Sequence, residues 1–496
     1  MKLGIDFGTS YSLPAVIQDG KAQILLSRGQ YGIPSVFYYD SWEDVLIGEQ
    51  AEEAGQGNSA KNLKREIKMD LNSTFIADGK VFTAKQIVGY ILKNVKDAAL
   101  DTANMQLLND TIDGVVLSVP VAFSYSEKEI LKEAAQLSED EGGPELPLVG
   151  LIKEPVAAAL AYFHSSLENK TRILVYDLGG GTCDIAIVEA DDTKKERYRV
   201  IDSDMCRIGG KDWDEKLIPY IAGEIEKKTG VSSFSSPALQ EKIKRAAVSA
   251  KMAFSEKQKG KYRDKVRIRI EVDGEKVEIS LTRSMFDELT IGLFNKTMHL
   301  VKELRKRNPD AISKIICVGG GSKMPQVQEG LKRAFPSEEF HIFEPENAIA
   351  IGAAIYAELL GEERDSLKDI AQYAYGIRSC RDFDKDPEDE ILCNLIRKGD
   401  DLPASGKLTF RTTEDNQKSA LIELYETDTE EVEIEYPKGM EPVLSMEFFL
   451  PENCKKGTEL SIQVLLNKDG LLEVTATDVS GKTCHAERRL SISGSG

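Results

Sequence analysis

Cysteine, histidine and tryptophan are scarce in this chain of 496 residues, which has seven cysteines, four histidines and two tryptophans. No two cysteines have the C-x-x-C spacing, so neither a zinc site nor a disulfide framework is expected, and a reducing compartment is indicated. No apolar run reaches the roughly 18 residues that a membrane span needs. Asp6 interrupts the apolar start of the sequence, which argues against a signal peptide. These absences predict a soluble protein of the cytoplasm.

Positive charge is also in short supply, because 64 lysines and arginines face 83 aspartates and glutamates, for a formal net charge of -19. An acidic surface repels phosphate backbones, so nucleic acid is not expected as the main partner, and no membrane partner is expected either. The simplest interpretation of this charge is solubility.

The first 360 residues or so alternate short apolar strands with longer amphipathic stretches, a pattern typical of α/β folds. Strands are predicted at residues 2–7, 115–119, 173–178 and 315–318. Helices are predicted at residues 84–99, 126–136, 155–164, 237–254 and 284–307.

Beyond residue 360 the pattern changes to short strands separated by turns, which predicts an antiparallel β-domain. These strands are predicted at residues 407–412, 419–426, 459–465 and 471–477. The domain organisation predicted from this change is residues 1–362, then a linker at residues 363–372, and a β-domain at residues 373–493.

Residues 3–10 and 175–182 share one pattern, in which an apolar strand ends in aspartate and is followed by glycine and a hydroxyl residue. Each stretch leads into another strand, so each is a hairpin and not a P-loop, whose glycine turn opens a helix. Glycine permits a positive φ and lets backbone amides approach an anion closely. Two such hairpins facing each other would clamp a polyphosphate.

A third glycine turn, Gly319–Gly321, follows a predicted buried strand and opens a helix. We expect Ser322 to cap this helix and Pro325 to lie in its first turn. The missing side chains would leave room for a flat ligand such as adenosine. Any one such turn is more often a tight connection than a ligand site, but three of them after apolar strands favour a nucleotide site.

The aspartates of these hairpins need a cation. Asp6, Asp177 and Asp184 would converge with like charges, and each would disfavour ionisation of the others unless a cation lay among them. Magnesium bound to ATP phosphates fits, because it prefers oxygen ligands and keeps water.

These residues resemble the 70-kDa heat-shock (DnaK-type) chaperones, within the actin-like ATPase superfamily, and the resemblance covers nearly the whole chain. It rests on motifs at residues 4–10, 117–120, 153–159, 177–182, 208–212, 348–354, 413–417 and 469–476. The last two distinguish chaperones from actins and sugar kinases. The fold implied is a two-lobed, actin-like (ribonuclease H-like) ATPase domain followed by a small antiparallel β-sandwich.

The function implied by the resemblance is slow ATP hydrolysis to ADP, with magnesium and potassium as candidate ions, coupled to binding and release of extended apolar segments of unfolded proteins. The catalytic residues implied are Lys64, Glu154, Asp177 and Thr182. The metal site implied is Asp6, Asp177 and Asp184. The nucleotide site implied is Gly8, Thr9, Ser10, Tyr11, Gly179, Gly180, Gly181, Thr182, Gly209, Gly210, Lys251, Ser255, Gly319, Gly320, Gly321, Lys323 and Glu346. The peptide site implied is Ile377, Cys380, Thr413, Ala420 and Ile422.

Several positions depart from the family pattern. Lys323 stands near the adenine site where arginine is common, and lysine lacks the planar stacking surface of arginine, so weaker nucleotide affinity is expected. A nucleotide-exchange factor and a J-domain co-chaperone are the implied protein partners, although Gly150 stands where the arginine that docks the J-domain often lies. Within residues 365–369 of the linker, Leu367 is the one apolar residue and lies beside Lys368, which predicts weak coupling between domains. No helix is predicted after Arg489, so the resemblance is to a lidless or truncated member that would release peptide quickly.

Two other functions compete with the ATP-driven chaperone. One is a nucleotide-gated binding module or co-chaperone that binds ATP without hydrolysing it and serves a dedicated client. The other is an actin-like sugar kinase, which ranks low because the predicted β-domain has no place in that fold.

Overall fold

A computed structural model gives the fold of the chain. It describes all residues except 27–29, 31, 41–44, 55–58, 62–73, 107–110, 122, 167–169, 192, 195–196, 233–235, 361–366, 383–384, 387, 468–471 and 488–496. The chain divides into two compact units, residues 1–122, 130–198 and 202–365 in the first and residues 123–129, 199–201 and 366–496 in the second. Among the described helices, none is both long enough and apolar enough to cross a membrane.

The strands up to residue 360 are β1 (Lys2–Phe7), β2 (Tyr11–Gln18), β3 (Lys21–Ile24), β4 (Ile33–Pro34), β5 (Val36–Tyr38), β6 (Leu46–Ile47), β7 (Ser59–Lys61), β8 (Thr74–Ala77), β9 (Lys80–Thr83), β10 (Gly114–Val119), β11 (Leu148–Lys153), β12 (Lys170–Leu178), β13 (Cys183–Asp191), β14 (Tyr198–Cys206), β15 (Lys257–Gln258), β16 (Lys261–Tyr262), β17 (Lys265–Val272), β18 (Glu275–Thr282), β19 (Lys314–Val318) and β20 (Glu339–Ile342). The α-helices are α1 (Glu49–Glu53), α2 (Ala84–Met105), α3 (Tyr125–Gln136), α4 (Glu154–Ser165), α5 (Gly210–Thr229), α6 (Pro237–Ser255), α7 (Arg283–Arg307), α8 (Pro325–Ala334) and α9 (Ala348–Leu359). The predicted strands and helices of this part are all present, with ends that differ from the predicted ones by a few residues.

Two sheets of the first unit repeat one arrangement. In the first sheet, with strand order β11-β10-β1-β2-β3, strand β1 pairs antiparallel with β2 and parallel with β10. In the second sheet, which contains the order β20-β19-β12-β13-β14, strand β12 pairs antiparallel with β13 and parallel with β19. The hairpins β1–β2 and β12–β13 therefore occupy equivalent places in their sheets.

Two alanine-rich helices, α4 and α9, pack almost without side chains between them. A β-carbon added to Gly352 of α9 would lie 1.8 Å from the carbonyl oxygen of Ala157 in α4. The other face of α9 touches β1, where a β-carbon added to Gly4 would lie 2.0 Å from the backbone nitrogen of Ala354. Backbone thus contacts backbone on both sides of α9, and this close packing holds β1 in place behind its hairpin.

The second unit is rich in antiparallel strands, as the sequence predicts. Its strands are β21 (Leu367–Lys368), β22 (Ala374–Cys380), β23 (Glu390–Ile396), β24 (Ala404–Arg411), β25 (Ser419–Thr427), β26 (Glu433–Glu435), β27 (Leu444–Phe449), β28 (Glu459–Leu466), β29 (Leu472–Asp478) and β30 (Thr483–Glu487). One sheet has the order β26-β23-β22-β25-β27 and another β24-β28-β29-β30. Residues of both sheets, among them Leu424 and Val464, form one buried apolar cluster.

Strand β27 ends its sheet and alternates strictly between buried and exposed residues. Its last residue, Phe449, is 62% exposed, and Leu421 on the neighbouring strand β25 is 64% exposed. Glu447 lies directly opposite Leu421 in the ladder and accepts a hydrogen bond of 2.6 Å from the Ser419 hydroxyl. The outer face at this edge therefore combines two large apolar side chains with one carboxylate.

The chain is a mixed α/β protein with several sheets, which confirms the predicted α/β class. The predicted domain boundaries stay a prediction, because residues 361–366 lie outside the described part of the chain.

Candidate phosphate-binding site

The turn between β1 and β2 is held by close packing within the turn and by hydrogen bonds from another segment of the chain. A β-carbon added to Gly8 would lie 2.0 Å from the carbonyl oxygen of Tyr11, so only glycine fits there. From outside, Ser35 donates its backbone N–H to the Ser10 carbonyl at 2.9 Å and its hydroxyl to the Gly8 carbonyl at 2.9 Å. Ser35 could not be predicted from the sequence, because no motif marks a serine that contacts a turn from elsewhere in the chain.

The turn between β12 and β13 is closed by a hydrogen bond between its own backbone groups. The N–H of Gly179 donates to the carbonyl of Thr182 at 3.0 Å, and Asp177 lies directly opposite Asp184 in the second pair of the ladder. Thr182 is half-buried, so its hydroxyl lies near the surface of the turn.

The two turns face each other. A β-carbon added to Gly180 would lie 2.8 Å from the Ser10 Oγ atom, and one added to Gly181 would lie 3.2 Å from the Thr9 Oγ1 atom. The hydroxyl residues of one hairpin therefore oppose the bare backbone of the other, as the sequence predicts for a two-sided clamp. This arrangement brings hydroxyl groups close to backbone that no side chain covers. Both kinds of group bind phosphate oxygens.

A third segment, Gly209–Lys211 at the start of α5, packs onto the second turn. Gly210 donates its N–H to the Gly179 carbonyl at 2.8 Å, and Lys211 donates its own to the Gly180 carbonyl at 3.0 Å. A β-carbon on Gly209 would lie only 2.4 Å from the backbone nitrogen of Gly181. These hydrogen bonds fix the backbone of the turn.

The Gly319–Gly321 turn touches the second hairpin from the other side. Gly319 has a φ of 76°, and a β-carbon there would lie 2.4 Å from the Asp177 Oδ1 atom. Gly321 is equally constrained by Leu178, whereas nothing lies within 4 Å of a β-carbon on Gly320. Two of these glycines are therefore required for packing against the hairpin. Only Gly320 borders open space, whereas room for a ligand was predicted along the whole turn.

The expected helix cap after this turn was wrong. Ser322 lies in a 3-10 turn, Gly320–Lys323, and its hydroxyl donates to the Val318 carbonyl, so it is not free to cap a helix. Helix α8 begins later, with Met324 at its N-cap, and Pro325 lies in the first turn as predicted.

The three aspartates predicted to bind metal are all buried. The Asp6 carboxylate accepts a hydrogen bond of 2.8 Å from the Ser118 hydroxyl, and Asp184 accepts one of 2.8 Å from the backbone N–H of Val121. Because Asp177 and Asp184 are directly opposite in an antiparallel pair, their carboxylates leave the sheet on the same face and repel each other.

Magnesium fits this pair of carboxylates. The part of the chain that the structure describes contains no group of three His, Cys, Asp or Glu side chains arranged to hold a metal, so Asp6 does not complete a ready-made ligand set. Magnesium, however, commonly uses one or two carboxylates, keeps several waters and shares the phosphates of its substrate. The residues present therefore suit an ion that arrives with a polyphosphate.

Of the remaining predicted catalytic residues, Glu154 is buried as the first residue of α4, where the helix dipole favours a carboxylate. Lys64 lies outside the described residues, so its predicted role stays a prediction.

Lys251 on α6 forms a nearly buried ion pair with Asp214 on α5. Its ammonium group donates to the Asp214 Oδ2 atom at 2.6 Å and to the Gly210 carbonyl at 2.7 Å. Burial raises the pKa of the Asp214 carboxyl, and the charge of Lys251 opposes that rise. Lys251 thereby supports the Gly209–Lys211 segment from behind, while Ser255 on the same helix donates its hydroxyl to the Lys251 carbonyl at 3.0 Å.

Replacing Lys251 with methionine should destabilise the protein by roughly 3 kcal/mol at pH 7, because it leaves the Asp214 charge buried without its partner. A carboxyl whose native pKa is raised makes the native state lose stability as the pH rises from the unfolded-state pKa to the native one. The loss of stability in the variant relative to the wild type, measured by urea unfolding, should therefore be smaller at pH 5 than at pH 7.

The double variant K251M/D214L is the matched control, since it removes the charge together with its partner and should recover most of the lost stability. Equal deficits at both pH values, or a double variant as weak as the single one, would show that the pair does not act electrostatically.

Two other predicted nucleotide ligands, Lys323 and Glu346, form an ion pair with each other through the Lys323 ammonium and the Glu346 Oε1 atom. Tyr11 is 45% exposed beside the first turn, and burial together with the nearby Glu52 charge raises the pKa of its phenol. These side chains are accessible, as a nucleotide contact requires.

The residues predicted to bind peptide are distributed over the β-rich unit. Ile377 and Ile422 are each 2% exposed in its apolar cluster, and Ala420 packs against that cluster. The Cys380 thiol donates to the Asp386 carbonyl at 3.1 Å, and the backbone N–H of Thr413 donates to the Gln417 side chain at 3.0 Å. Their joint role in one cleft stays a prediction.

On the outer face of the same strands lies a charged network that the sequence analysis missed. Arg378 forms ion pairs with Glu390 and with Glu423, the latter at 3.3 Å, and its guanidinium carbon lies 4.6 Å from the centre of the Tyr436 ring. The Glu390 hydrogen bond raises the pKa of Arg378. Strand alternation could have placed Arg378 on the other face of the strand from Ile377, but it does not show that Glu423 and Tyr436 lie close to Arg378.

Comparison with known protein families matches the chain to the family described as Hsp70 protein over residues 59–494. The match spans the second and third glycine turns as well as the β-rich unit.

Proposed function

Because the chain belongs to the Hsp70 family, we propose that it is an ATP-dependent chaperone that hydrolyses ATP in residues 1–362 and binds extended apolar peptide segments in residues 373–493. In this proposal the first part is a two-lobed, actin-like ATPase and the second a β-sandwich. The observation that carries it is the opposition of the two hairpin turns, Gly180 against Ser10 and Gly181 against Thr9.

The two turns supply the phosphate contacts. In the proposed mechanism, backbone N–H groups of both turns and the hydroxyls of Thr9, Ser10 and Thr182 donate to phosphate oxygens. The Gly209–Lys211 segment keeps the second turn rigid through its two backbone hydrogen bonds. Rigid donors cost no reorganisation as negative charge shifts during phosphoryl transfer, which is how such sites lower the barrier.

The carboxylates have two roles in the proposed mechanism, binding magnesium and orienting the attacking water. Asp177 and Asp184 would hold magnesium, which would supply positive charge to neutralise the phosphates. Glu154 would orient the attacking water and accept its hydrogen bond from a fixed place at the helix start. Lys64 would hold that water against the terminal phosphate.

The peptide part of the proposal rests on the family and on the β-rich unit. Peptide would bind as an added strand with apolar side chains in pockets, a mode that combines backbone hydrogen bonds with side-chain selection. Ile377, Cys380, Thr413, Ala420 and Ile422 are the proposed contacts.

ATP turnover by the full chain, measured with and without an unfolded apolar peptide, tests both parts at once. We expect slow turnover that the peptide stimulates. Turnover without stimulation would leave an ATPase uncoupled from peptide binding, and ATP binding without any turnover would favour the non-hydrolysing module. Replacing Lys64 with alanine should reduce turnover about 100-fold, since it removes a charged group from the reacting phosphate.

The control for the Lys64 variant is Lys216→Ala, because Lys216 is exposed on α5 and takes no part in the turns. This control should hydrolyse ATP like the wild-type protein. Unchanged turnover in the Lys64 variant would refute the assigned role of that lysine.

A further inference from the structure

Gln328 on α8 holds the backbone of the third glycine turn. Its side-chain amide donates to the Lys323 carbonyl at 2.9 Å and to the Ser322 carbonyl at 3.3 Å. Gln328 is 5% exposed, so water has little access to compete for these hydrogen bonds. The same turn carries Gly320, which borders open space, and the accessible Lys323 side chain, both of them predicted nucleotide contacts. The Gln328 amide therefore fixes the backbone that presents these contacts.

Tyr262 on β16 sets the orientation of this amide. Its phenol donates to the Gln328 Oε1 atom at 2.8 Å. Backbone carbonyls can only accept hydrogen bonds, so the amide nitrogen must face the turn and the amide oxygen must face Tyr262. Lys257 lies directly opposite Tyr262 in the β15–β16 ladder, and its ammonium group is 5.1 Å from the centre of the Tyr262 ring. The hairpin thus holds Tyr262, and Tyr262 holds Gln328.

The β15–β16 hairpin follows a helix with two further predicted nucleotide contacts. Helix α6 carries Lys251 and ends at Ser255, and β15 begins two residues later at Lys257. The hydrogen bond from Tyr262 to Gln328 therefore joins the chain that follows these two contacts to the third glycine turn. Segments distant in sequence, each with predicted nucleoside contacts, are connected through this one bond.

A second glutamine anchors helix α8 itself. The Gln326 Oε1 atom accepts hydrogen bonds of 3.2 Å each from the Trp213 indole and the Thr290 hydroxyl. The Gln326 amide nitrogen donates to the Asp287 carbonyl at 3.1 Å. Trp213 lies on α5 and the other two partners lie on α7, so α8 is tied to two helices beside Gln328. Because the helix is held in this way, the hydrogen bond from Tyr262 acts on the Gln328 side chain and through it on the turn.

We propose that Tyr262 and Gln328 are positioning residues for the nucleoside part of ATP, and that Tyr262 acts through Gln328. Neither side chain contacts the nucleotide in this proposal. Without the Tyr262 hydroxyl, the Gln328 amide is free to rotate, and the turn loses the donor that holds its two carbonyls. The reacting phosphate lies at the two hairpin turns, so the loss concerns nucleotide affinity and not the rate of hydrolysis. This inference rests on the proposed function, because it takes the third glycine turn as part of a nucleotide site.

Calorimetric titration of the full chain with ATP and magnesium, together with single-turnover hydrolysis at saturating ATP, tests the proposal. Tyr262→Phe should weaken ATP affinity about fivefold, because it removes one hydrogen bond, and Gln328→Met about tenfold, because it removes the donor itself. Hydrolysis at saturating ATP should keep the wild-type rate in both variants, since losing an interaction made equally in ground and transition states lowers affinity alone. The double variant should bind ATP as weakly as Gln328→Met, because Tyr262 acts through Gln328.

The matched control is Tyr220→Phe, which also removes a phenol that donates to a carbonyl in the same unit, that of Ser280 at 3.1 Å. This control should bind ATP like the wild type. Unchanged affinity in Tyr262→Phe, additive losses in the double variant, or slower hydrolysis at saturating ATP would each overturn the inference while leaving the proposed function intact. A wild-type protein that binds no ATP would overturn both.

Discussion

Alanine at position 209 should weaken ATP binding by at least about 100-fold without unfolding the protein. A β-carbon there would lie 2.4 Å from the backbone nitrogen of Gly181 and 2.5 Å from the carbonyl carbon of Gly180. Both are main-chain atoms of the turn, so no side-chain rotation can relieve the clash. Gly209 itself has an extended backbone with a φ of -142°, which any residue can adopt, so the effect comes from this contact alone.

The clash has to be relieved by moving the Gly209–Lys211 segment away from the turn. A displacement of about 1 Å in a positioning group can lower a reaction rate by on the order of 100-fold. We expect the ATP affinity to fall by at least the same factor. Calorimetric titration of ATP with magnesium measures the affinity, and circular dichroism checks that the variant is folded.

Gly223 supplies the control within the same helix, because nothing lies within 4 Å of a β-carbon added there. Gly223→Ala should bind ATP normally and gain up to about 1 kcal/mol of stability from helix propensity. A Gly209 variant that binds ATP as tightly as this control would show that the segment does not position the phosphate-binding turn.

Alanine at position 352 should destabilise the protein by about 3 kcal/mol or more. The added methyl group would lie 1.8 Å from the carbonyl oxygen of Ala157 and 2.3 Å from its carbonyl carbon, so α4 and α9 would have to move apart. Overpacking of this kind typically costs about 1–3 kcal/mol, and the cost is larger when backbone must move. Urea unfolding measures the difference.

Gly292 on α7 is the matched control, because a β-carbon added there meets nothing within 4 Å. Helix propensity alone predicts that alanine stabilises both positions by up to about 1 kcal/mol. We therefore expect opposite signs for the two variants. A stabilised Gly352 variant would mean that the two helices are less closely packed than described.

The elements of the first unit could be predicted from the sequence because their signals are local. Strand β1 is predicted at its observed bounds, since an apolar run ends at a glycine turn. The two hairpins are recognisable for the same reason, and their opposition follows from their repeated pattern. The tertiary contacts of the folded chain did not override these local preferences.

The errors and omissions concern contacts made across the fold. Ser322 has the sequence of a helix cap, but the Val318 carbonyl is within reach of its hydroxyl and takes the hydrogen bond instead. Ser35 fixes the first turn from 25 residues beyond its last member, Ser10, and no local pattern shows this.

The packing around the third glycine turn could not be predicted from the sequence either. The glycines at 319 and 321 were expected to make room for a ligand, but packing against Asp177 and Leu178 is what requires them. The sequence shows that glycine occupies these positions, but it does not show which residues pack against them.

The edge strand β27 bears on how the protein behaves in concentrated solution. Its outer backbone and the exposed Phe449 and Leu421 side chains together form a surface on which another chain could add a strand, which is the usual start of ordered aggregation. Glu447 lies between them and places a negative charge on that surface. Two copies meeting edge to edge would bring these carboxylates close together, and dissolved salt would screen their repulsion.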